Sequence, residues 1–325
     1  MIKHVKTACV SGRQKHNSKI LLAAASFRPL TQAVLTCLLL TLAISAQTDD
    51  DSLIIVDTSI VVLNASITDA SGRAVGGLNK KLFHIFEDGV EQKIETFETE
   101  ETPFAAVILL DTSGSMEERV SLARSAAIHF LAKLRTHDNA AIYNFSSKVK
   151  LVQDFSNSRD IRERAFDLKA DGMTVLNDAI YKAAEALSKR PEKRRAIIVL
   201  SDGADTFSKN SEAKALKAAL AVNASVYAVD MSSPDLKPNE RSQNRAALTN
   251  FAEKTGGKYI ATPGGIAMRD AFIRIVEELG TQYTLAYQPS NTKKDGKWHS
   301  IELRVSKPNL TIRTRKGYNS QNHLR

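Results

Sequence analysis

The sequence predicts an α/β fold, a doubly wound and mostly parallel sheet, inserted in a small β-sandwich. Between residues 103 and 280, apolar strand-like runs alternate with amphipathic helical segments, which is the order that builds such a sheet. Runs such as AVILL and AIIVL lack polar alternation, as expected for strands covered on both faces. Strand-like segments without helices flank this region at 53–100 and 281–318, so we expect them to form one discontinuous module.

The first flank is rich in β-branched residues from Leu53 to Phe97. Asp88-Gly89 lies between two short apolar segments, and this dipeptide favours a tight hairpin turn. The flank is too short to close a sandwich alone. We therefore expect it to need strands from the second flank.

The central region contains five predicted core strands, one predicted edge strand and five helices. The core strands are predicted at Ala105–Leu110, Asn139–Phe145, Ala196–Leu200, Ala224–Val229 and Gly257–Ala261. Val149–Asp154 is predicted to be an antiparallel edge strand. Apolar residues recur at helical spacing in segments that follow these strands. The helices are predicted from Val120 to Leu134 and at Asn177–Lys189, Glu212–Val222, Asn244–Thr255 and Ile266–Leu279.

The second flank returns to strand-like alternation in YTLAYQP, WHSIELRVS and LTIRTRKGY. We interpret its basic residues Arg313, Arg315 and Lys316 as the solvent face of a strand.

Composition excludes a wholly disordered chain, since 43% of the 325 residues are hydrophobic and 25% are charged. The net charge of +9 does not indicate nucleic-acid binding, because the first 47 residues hold six Lys or Arg and no acid. The remainder has 39 basic and 36 acidic residues, a balance of +3 without a concentrated basic stripe. We therefore expect no nucleic-acid partner.

Residues 1–47 are predicted to be a signal peptide or an N-terminal anchor. A basic stretch precedes the apolar run Ala33–Ile44, and small residues follow at Ser45-Ala46. The run is short for a membrane span, and we expect no span in the mature chain. These features predict an exported protein, periplasmic, on the cell surface or secreted. Cys9 and Cys37 both lie in this segment, so cleavage would leave a chain without cysteine.

Two carboxylates are predicted to meet at one edge of the sheet. Asp111 follows the apolar run of the first core strand, and Asp202 lies in Ser201-Asp202-Gly203 at the end of the strand predicted at Ala196–Leu200. The carboxyl ends of parallel strands face a common crevice, where ligands usually bind. Two adjacent carboxylates repel each other unless a cation neutralises them. The pair therefore indicates a cation site.

Three hydroxyls complete the predicted donor set. Ser113 and Ser115 follow Asp111 in DTSGSM, and Thr174 lies in DGMT, in another loop before a helix. Oxygen-only ligands favour Mg²⁺, with Mn²⁺ or Ca²⁺ as alternatives, over zinc. These five residues leave one position of a six-coordinate ion for water or a partner's carboxylate. The expected partner is a protein that presents an Asp or Glu.

The motifs DTSGSM, DGMT and SDG resemble the metal-ion-dependent adhesion site of von Willebrand factor type A domains, in order and approximate spacing. The resemblance implies a Rossmann-like domain over Phe104–Gly280, with Ser113, Ser115 and Thr174 ligating the ion directly and the aspartates acting largely through water. The flanks ITDASGRAVGGLNKKLFHIFEDGVEQ and YTLAYQP to RKGY resemble a bacterial subgroup, except that Lys81 stands where that subgroup often has an acid.

The sequence thus predicts a non-enzymatic, metal-dependent adhesion or scaffolding protein, with no catalytic residue. Two alternatives stay open. One is a metal-dependent hydrolase at the same site, for which no general base is evident. The other is a structural domain that a bound metal only stabilises.

Overall fold

The computed structural model describes residues 60–99, 102–158, 172–233, 235, 237–261, 265–291, 293 and 295–320. The strands in this part of the chain are β1 Val61–Thr68, β2 Phe83–Glu87, β3 Val90–Gln92, β4 Ile94–Glu98, β5 Phe104–Asp111, β6 Asn139–Phe145, β7 Val149–Ser156, β8 Arg194–Ser201, β9 Ala224–Asp230, β10 Lys258–Ala261, β11 Tyr283–Tyr287, β12 Trp298–Val305, β13 Thr311–Arg313 and β14 Gly317–Asn319. The α-helices are α1 Val120–Ala132, α2 Leu176–Ser188, α3 Glu212–Ala221, α4 Pro238–Thr255 and α5 Gly265–Thr281.

A six-stranded sheet forms the centre of the α/β region, in the order β10-β9-β8-β5-β6-β7. All neighbouring pairs are parallel except β6 and β7, so β7 is the predicted antiparallel edge. The strand order reverses between β5 and β8, which is where ligand crevices form in doubly wound sheets. The predicted fold class is confirmed.

Alternate residues of the central strands pack on opposite faces of this sheet. Phe104 and Ile108 of β5 lie on the face that α1 and α5 cover. Ala105 and Val107 lie on the opposite face, which α2, α3 and α4 cover. Burial on both sides explains why β5 and β8 are apolar runs without alternation.

One helix begins earlier than its apolar pattern predicts. α4 begins at Pro238, whereas the prediction began at Asn244. Its first two turns are polar and mostly exposed, and the buried stripe starts only at Leu248. Proline at the first helical position favours this start, because the N–H that proline lacks would have no hydrogen-bond partner within the helix at that position.

Two four-stranded sheets form the β-module, in the orders β13-β1-β11-β4 and β14-β12-β2-β3. Each sheet contains strands from before and after the α/β region. Their inner faces share one apolar cluster, which includes Leu63, Ile85, Leu285 and Leu303. The β2–β3 hairpin turns at Asp88 and Gly89, with φ values of 48° and 82°, as that dipeptide predicts.

Arg194 connects the two regions from the start of β8. Its fully buried guanidinium donates to Thr284 Oγ1 of β11 at 3.2 Å and to the Gly280 carbonyl at 3.1 Å. It also donates to the Thr99 carbonyl beyond β4. Burial lowers the pKa of Arg194 to about 10, and the guanidinium remains charged at neutral pH.

The interpretation of Arg313 and Arg315 as solvent-facing is wrong. Arg313 pairs with Glu278 of α5, and Arg315 is buried with its guanidinium near the Tyr318 ring, 5.6 Å from the centroid. The strand β13 is only three residues long, and the chain after it turns inward between the two regions. Alternation along LTIRTRKGY therefore does not continue as one regular strand.

The predicted signal segment, residues 1–47, and the first residues of the predicted β-rich flank, 53–59, lie outside the described part of the chain. Among the helices that are described, none has the length and apolar character needed to cross a membrane.

Candidate metal centre

The predicted donor residues lie on three loops at the carboxyl edge of the central sheet. Asp111 is the last residue of β5 and is completely buried. Ser113 precedes a 3-10 turn over Gly114–Met116, and Ser115 is the middle residue of that turn, which comes before α1. Ser113 makes no side-chain cap bond to that turn, so its hydroxyl is not used as a helix cap.

Asp111 is held by hydrogen bonds from both sides. Its Oδ1 accepts from the Ser113 amide at 2.9 Å, and its Oδ2 accepts from the Ser201 hydroxyl at 2.5 Å. Ser201 Oγ in turn accepts from the Gly203 amide at 3.0 Å. Register explains the Ser201 contact, because β5 and β8 pair in parallel up to Leu110 and Leu200.

Burial raises the pKa of Asp111 to about 6. That net value includes a smaller rise from the negative charge of nearby Asp202 and an opposing effect of the hydrogen bonds from Ser113 and Ser201. A buried carboxylate with this environment is stabilised by a cation, because the cation offsets both the lost hydration and the repulsion.

The two serine hydroxyls are spaced like adjacent ligands of a small ion. Ser113 Oγ and Ser115 Oγ lie 3.1 Å apart. Adjacent ligands of an octahedral ion with bonds of about 2.1 Å are separated by about 3 Å. Ser113 is buried whereas Ser115 is exposed, so this pair runs from the interior to the surface.

Backbone hydrogen bonds tie the three loops together. The Gly114 amide donates to the Gly172 carbonyl at 3.3 Å, which brings the Thr174 loop beside the serines. The amides of Thr206 and Phe207 donate to the Thr174 carbonyl at 2.9 and 3.0 Å. Thr174 and Asp202 are both buried. All five predicted residues therefore lie on loops that are linked at one edge of the sheet.

Sequence reasoning missed Ser201, which donates directly to Asp111. The signal was present, since a serine that ends β8 lies beside the aspartate that ends β5 once the two strands pair in register. Asp205, on the same loop as Asp202, accepts hydrogen bonds from the Asn177 and Ser208 amides. It orders the start of α2 and the third loop.

The donor set fits Mg²⁺. The arrangement offers two buried carboxylates and three hydroxyls, all oxygen donors, on loops already joined by hydrogen bonds. Hard divalent cations prefer such ligands. An ion here would be held by Ser113, Ser115 and Thr174, with Asp111 and Asp202 supplying compensating negative charge.

Residues 106–204 match the family profile of the von Willebrand factor type A domain. The chain contains a von Willebrand factor type A domain. The match spans under a third of the chain and includes all five predicted donors of the A domain. The β-module lies outside it. A comparison with curated proteins gave no significant match.

Solved structures with similar folds include several bacterial proteins. The PilB minor pilin from Streptococcus sanguinis aligns with a TM-score of 0.44 and 16% identity, over 56% of this chain and 62% of the pilin, less than two thirds of its length. A von Willebrand factor type A protein from Catenulispora acidiphila aligns at 0.45 and 13%, over 79% and 73%. A serine-substituted aerotolerance-related membrane protein from Bacteroides fragilis aligns at 0.45 and 17%, over 54% and 98%.

Proposed function

We propose that this is an exported, non-enzymatic adhesion or scaffolding protein whose A domain binds an acidic side chain of a protein partner through Mg²⁺. The observation that carries the proposal is the buried Asp111 carboxylate beside two hydroxyls, one of which, on Ser115, is exposed. An ion at these groups would be anchored from inside and reachable from outside.

Charge balance favours an acidic ligand. Asp111 and Asp202 together just neutralise a divalent cation, and the other three donors are uncharged. An incoming carboxylate would therefore meet little net repulsion and could take the remaining coordination position. A site with three or four carboxylates would instead repel it.

The surroundings of the site favour a macromolecular partner. Met173 and Phe207 are two large apolar side chains that are exposed, at 53% and 56%. They lie on the loops joined through Thr174, whose carbonyl accepts from the Phe207 amide. Exposed apolar groups beside a polar centre are typical of protein-binding surfaces.

The immediate partners of Asp111 favour binding over hydrolysis. Among the described residues, its hydrogen-bond partners are Ser113 and Ser201, and neither can act as a general base at neutral pH. A hydrolase at this site would need a base other than Asp111 and Asp202, because the charges of these two carboxylates compensate the ion.

The test is affinity capture from an envelope extract, with Mg²⁺ or with EDTA, using wild type and Ser113→Ala. Ser232→Ala is the matched control, because its hydroxyl lies at the same edge but donates to the Asp202 carbonyl at 3.2 Å. We expect a protein captured by wild type and Ser232→Ala in Mg²⁺, and lost with EDTA or with Ser113→Ala. Amidation of the extract's carboxyl groups should also remove it.

Other outcomes would contradict parts of this proposal. Equal capture in EDTA would exclude a metal-dependent contact. A Mg²⁺-dependent rise in melting temperature without any effect on capture would assign the ion a structural role only. Hydrolysis of phosphoester or peptide substrates with Mn²⁺, lost in Ser113→Ala, would replace binding by catalysis.

A further inference from the structure

A second cluster of ionisable side chains lies in the β-module, far in sequence from the A-domain motifs. Glu87 ends β2, Asp88 begins the hairpin turn and His299 lies on β12, which pairs with β2. One ligand atom from each of the three lies within 4.8 Å of the other two. Nothing in the A-domain function uses these residues.

Each of the two carboxylates is held in place by hydrogen bonds to one of its oxygens. The second oxygen of each lies near His299 Nδ1. Glu87 Oε2 accepts from the hydroxyls of Tyr287 at 2.5 Å and Tyr318 at 3.2 Å. Asp88 Oδ1 accepts from the Ser300 amide and hydroxyl at 2.8 and 3.0 Å. The other oxygens, Glu87 Oε1 and Asp88 Oδ2, lie 3.7 and 2.7 Å from His299 Nδ1.

One proton on Nδ1 cannot serve both carboxylates. It can be donated to Asp88 Oδ2, and Glu87 Oε1 is then buried without a hydrogen-bond partner. Glu87 and His299 are only 3% and 5% exposed. An unpaired buried carboxylate oxygen is costly. A cation in place of that proton would contact all three side chains at once.

We propose that Glu87, Asp88 and His299 form a binding site for a divalent transition-metal ion, of which Zn²⁺ is the first choice. One imidazole nitrogen and two carboxylate oxygens are ligands that zinc takes, whereas Mg²⁺ and Ca²⁺ prefer oxygen alone. The hydrogen bonds from Tyr287, Tyr318 and Ser300 orient the ligating carboxylates, as outer partners do in protein metal sites.

Of the three residues, Asp88 is exposed to solvent, whereas Glu87 and His299 are buried. The Asp88 side chain is 46% exposed, so an ion can enter past it and keep water as a further ligand. Arg315 lies behind the cluster, with its charge near Glu87 and Tyr318. That charge offsets part of the carboxylate charge, and we therefore expect affinity below that of a closed structural zinc site.

The test measures Zn²⁺ binding to the full chain by competition with a chromogenic chelator, in excess Mg²⁺ to occupy the A-domain site. The first variant is Asp88→Asn, because asparagine tolerates the positive φ and keeps an acceptor for Ser300. The second is His299→Gln. The control is His84→Gln, since His84 pairs with a single carboxylate, Glu91, at 2.8 Å on the exposed side of the same sheet.

We expect wild type and His84→Gln to bind one zinc ion with equal affinity. Asp88→Asn and His299→Gln should each weaken binding about tenfold or more. Melting temperatures without zinc will show that the variants fold. The proposal is overturned if wild type binds no zinc under these conditions, or if folded Asp88→Asn binds it as tightly as wild type.

Discussion

The two clusters differ in how their carboxylates are satisfied without an ion. At the A-domain site, both oxygens of Asp111 accept hydrogen bonds, from the Ser113 amide and the Ser201 hydroxyl. In the β-module, Glu87 Oε1 has no hydrogen-bond partner. A hydroxyl can rotate, so it can donate a hydrogen bond to a carboxylate or turn its oxygen toward a cation. An imidazole nitrogen has a fixed direction and can donate only one proton. The hydroxyl-rich site is therefore suited to reversible occupancy.

The largest expected difference is in the pH dependence of stability without metal. The pKa of Asp111 is about 6 in the folded chain against a usual 3.8, so the folded chain holds an extra proton between those values. Protonated Asp111 therefore stabilises the folded chain fully below about pH 4, and this contribution is lost as the pH rises through 6. In EDTA, wild type should lose roughly 3 kcal/mol relative to Asp111→Asn across this window.

Asp88 should show the opposite sign. Although partial burial acts to raise it, hydrogen bonds from Ser300 and His299 lower the pKa of Asp88 below its usual value. Its stabilising effect is therefore present at neutral pH and lost on acidification below about pH 4. Urea unfolding of Asp88→Asn and Asp111→Asn across pH measures both. Parallel curves for wild type and Asp111→Asn would contradict the environment assigned to Asp111.

A smaller difference is expected from glycine substitutions beside each cluster. A Cβ on Gly317 would lie 2.2 Å from the His299 carbonyl oxygen and 2.5 Å from the Trp298 ring. Gly317→Ala should therefore destabilise the fold by about 2 kcal/mol and displace His299, which would also weaken zinc binding.

Gly114→Ala is the counterpart at the A-domain site. Its nearest contact would be the Gly172 carbonyl oxygen at 3.7 Å, an ordinary distance. We expect a change within about 0.5 kcal/mol in urea unfolding. If Gly317→Ala and Gly114→Ala lowered the free energy of unfolding equally, the expected difference in packing between the two clusters would be wrong.

The smallest expected difference between the two clusters comes from single hydroxyl deletions. Ser201→Ala removes a donor to Asp111 and the acceptor for the Gly203 amide, and should cost about 1 kcal/mol without metal. Tyr318→Phe should cost only about 0.5 kcal/mol, because Tyr287 still donates to the same Glu87 oxygen. Thermal or urea unfolding in EDTA compares them. A larger loss for Tyr318→Phe would reverse the contrast between the clusters.

Local patterns predicted the parts of the fold that depend on nearest neighbours in sequence. The apolar run that became β5 and the helical spacing in α1 follow from burial on one or both faces. The Asp88-Gly89 turn follows from backbone preference alone. The serine pair two residues apart in DTSGSM is likewise local, which is why the amino-acid pattern is enough to predict Ser113 and Ser115 as donors.

Other contacts depend on how distant strands pair. The inward course of Arg315 was missed because it depends on where the chain after β13 crosses the A domain, near the Leu220 carbonyl. The same limit applies to α4, whose polar first turns give no apolar signal.

The sequence by itself determined the alternation of strands and helices, the oxygen-rich loop after β5 and the hairpin turn, because each arises from residues within a few positions of one another. Only the tertiary structure decided that Ser201 donates to Asp111 and that His299 meets Asp88 across 211 positions of sequence. Those contacts depend on strand register, and register is set by burial of whole faces rather than by any local preference.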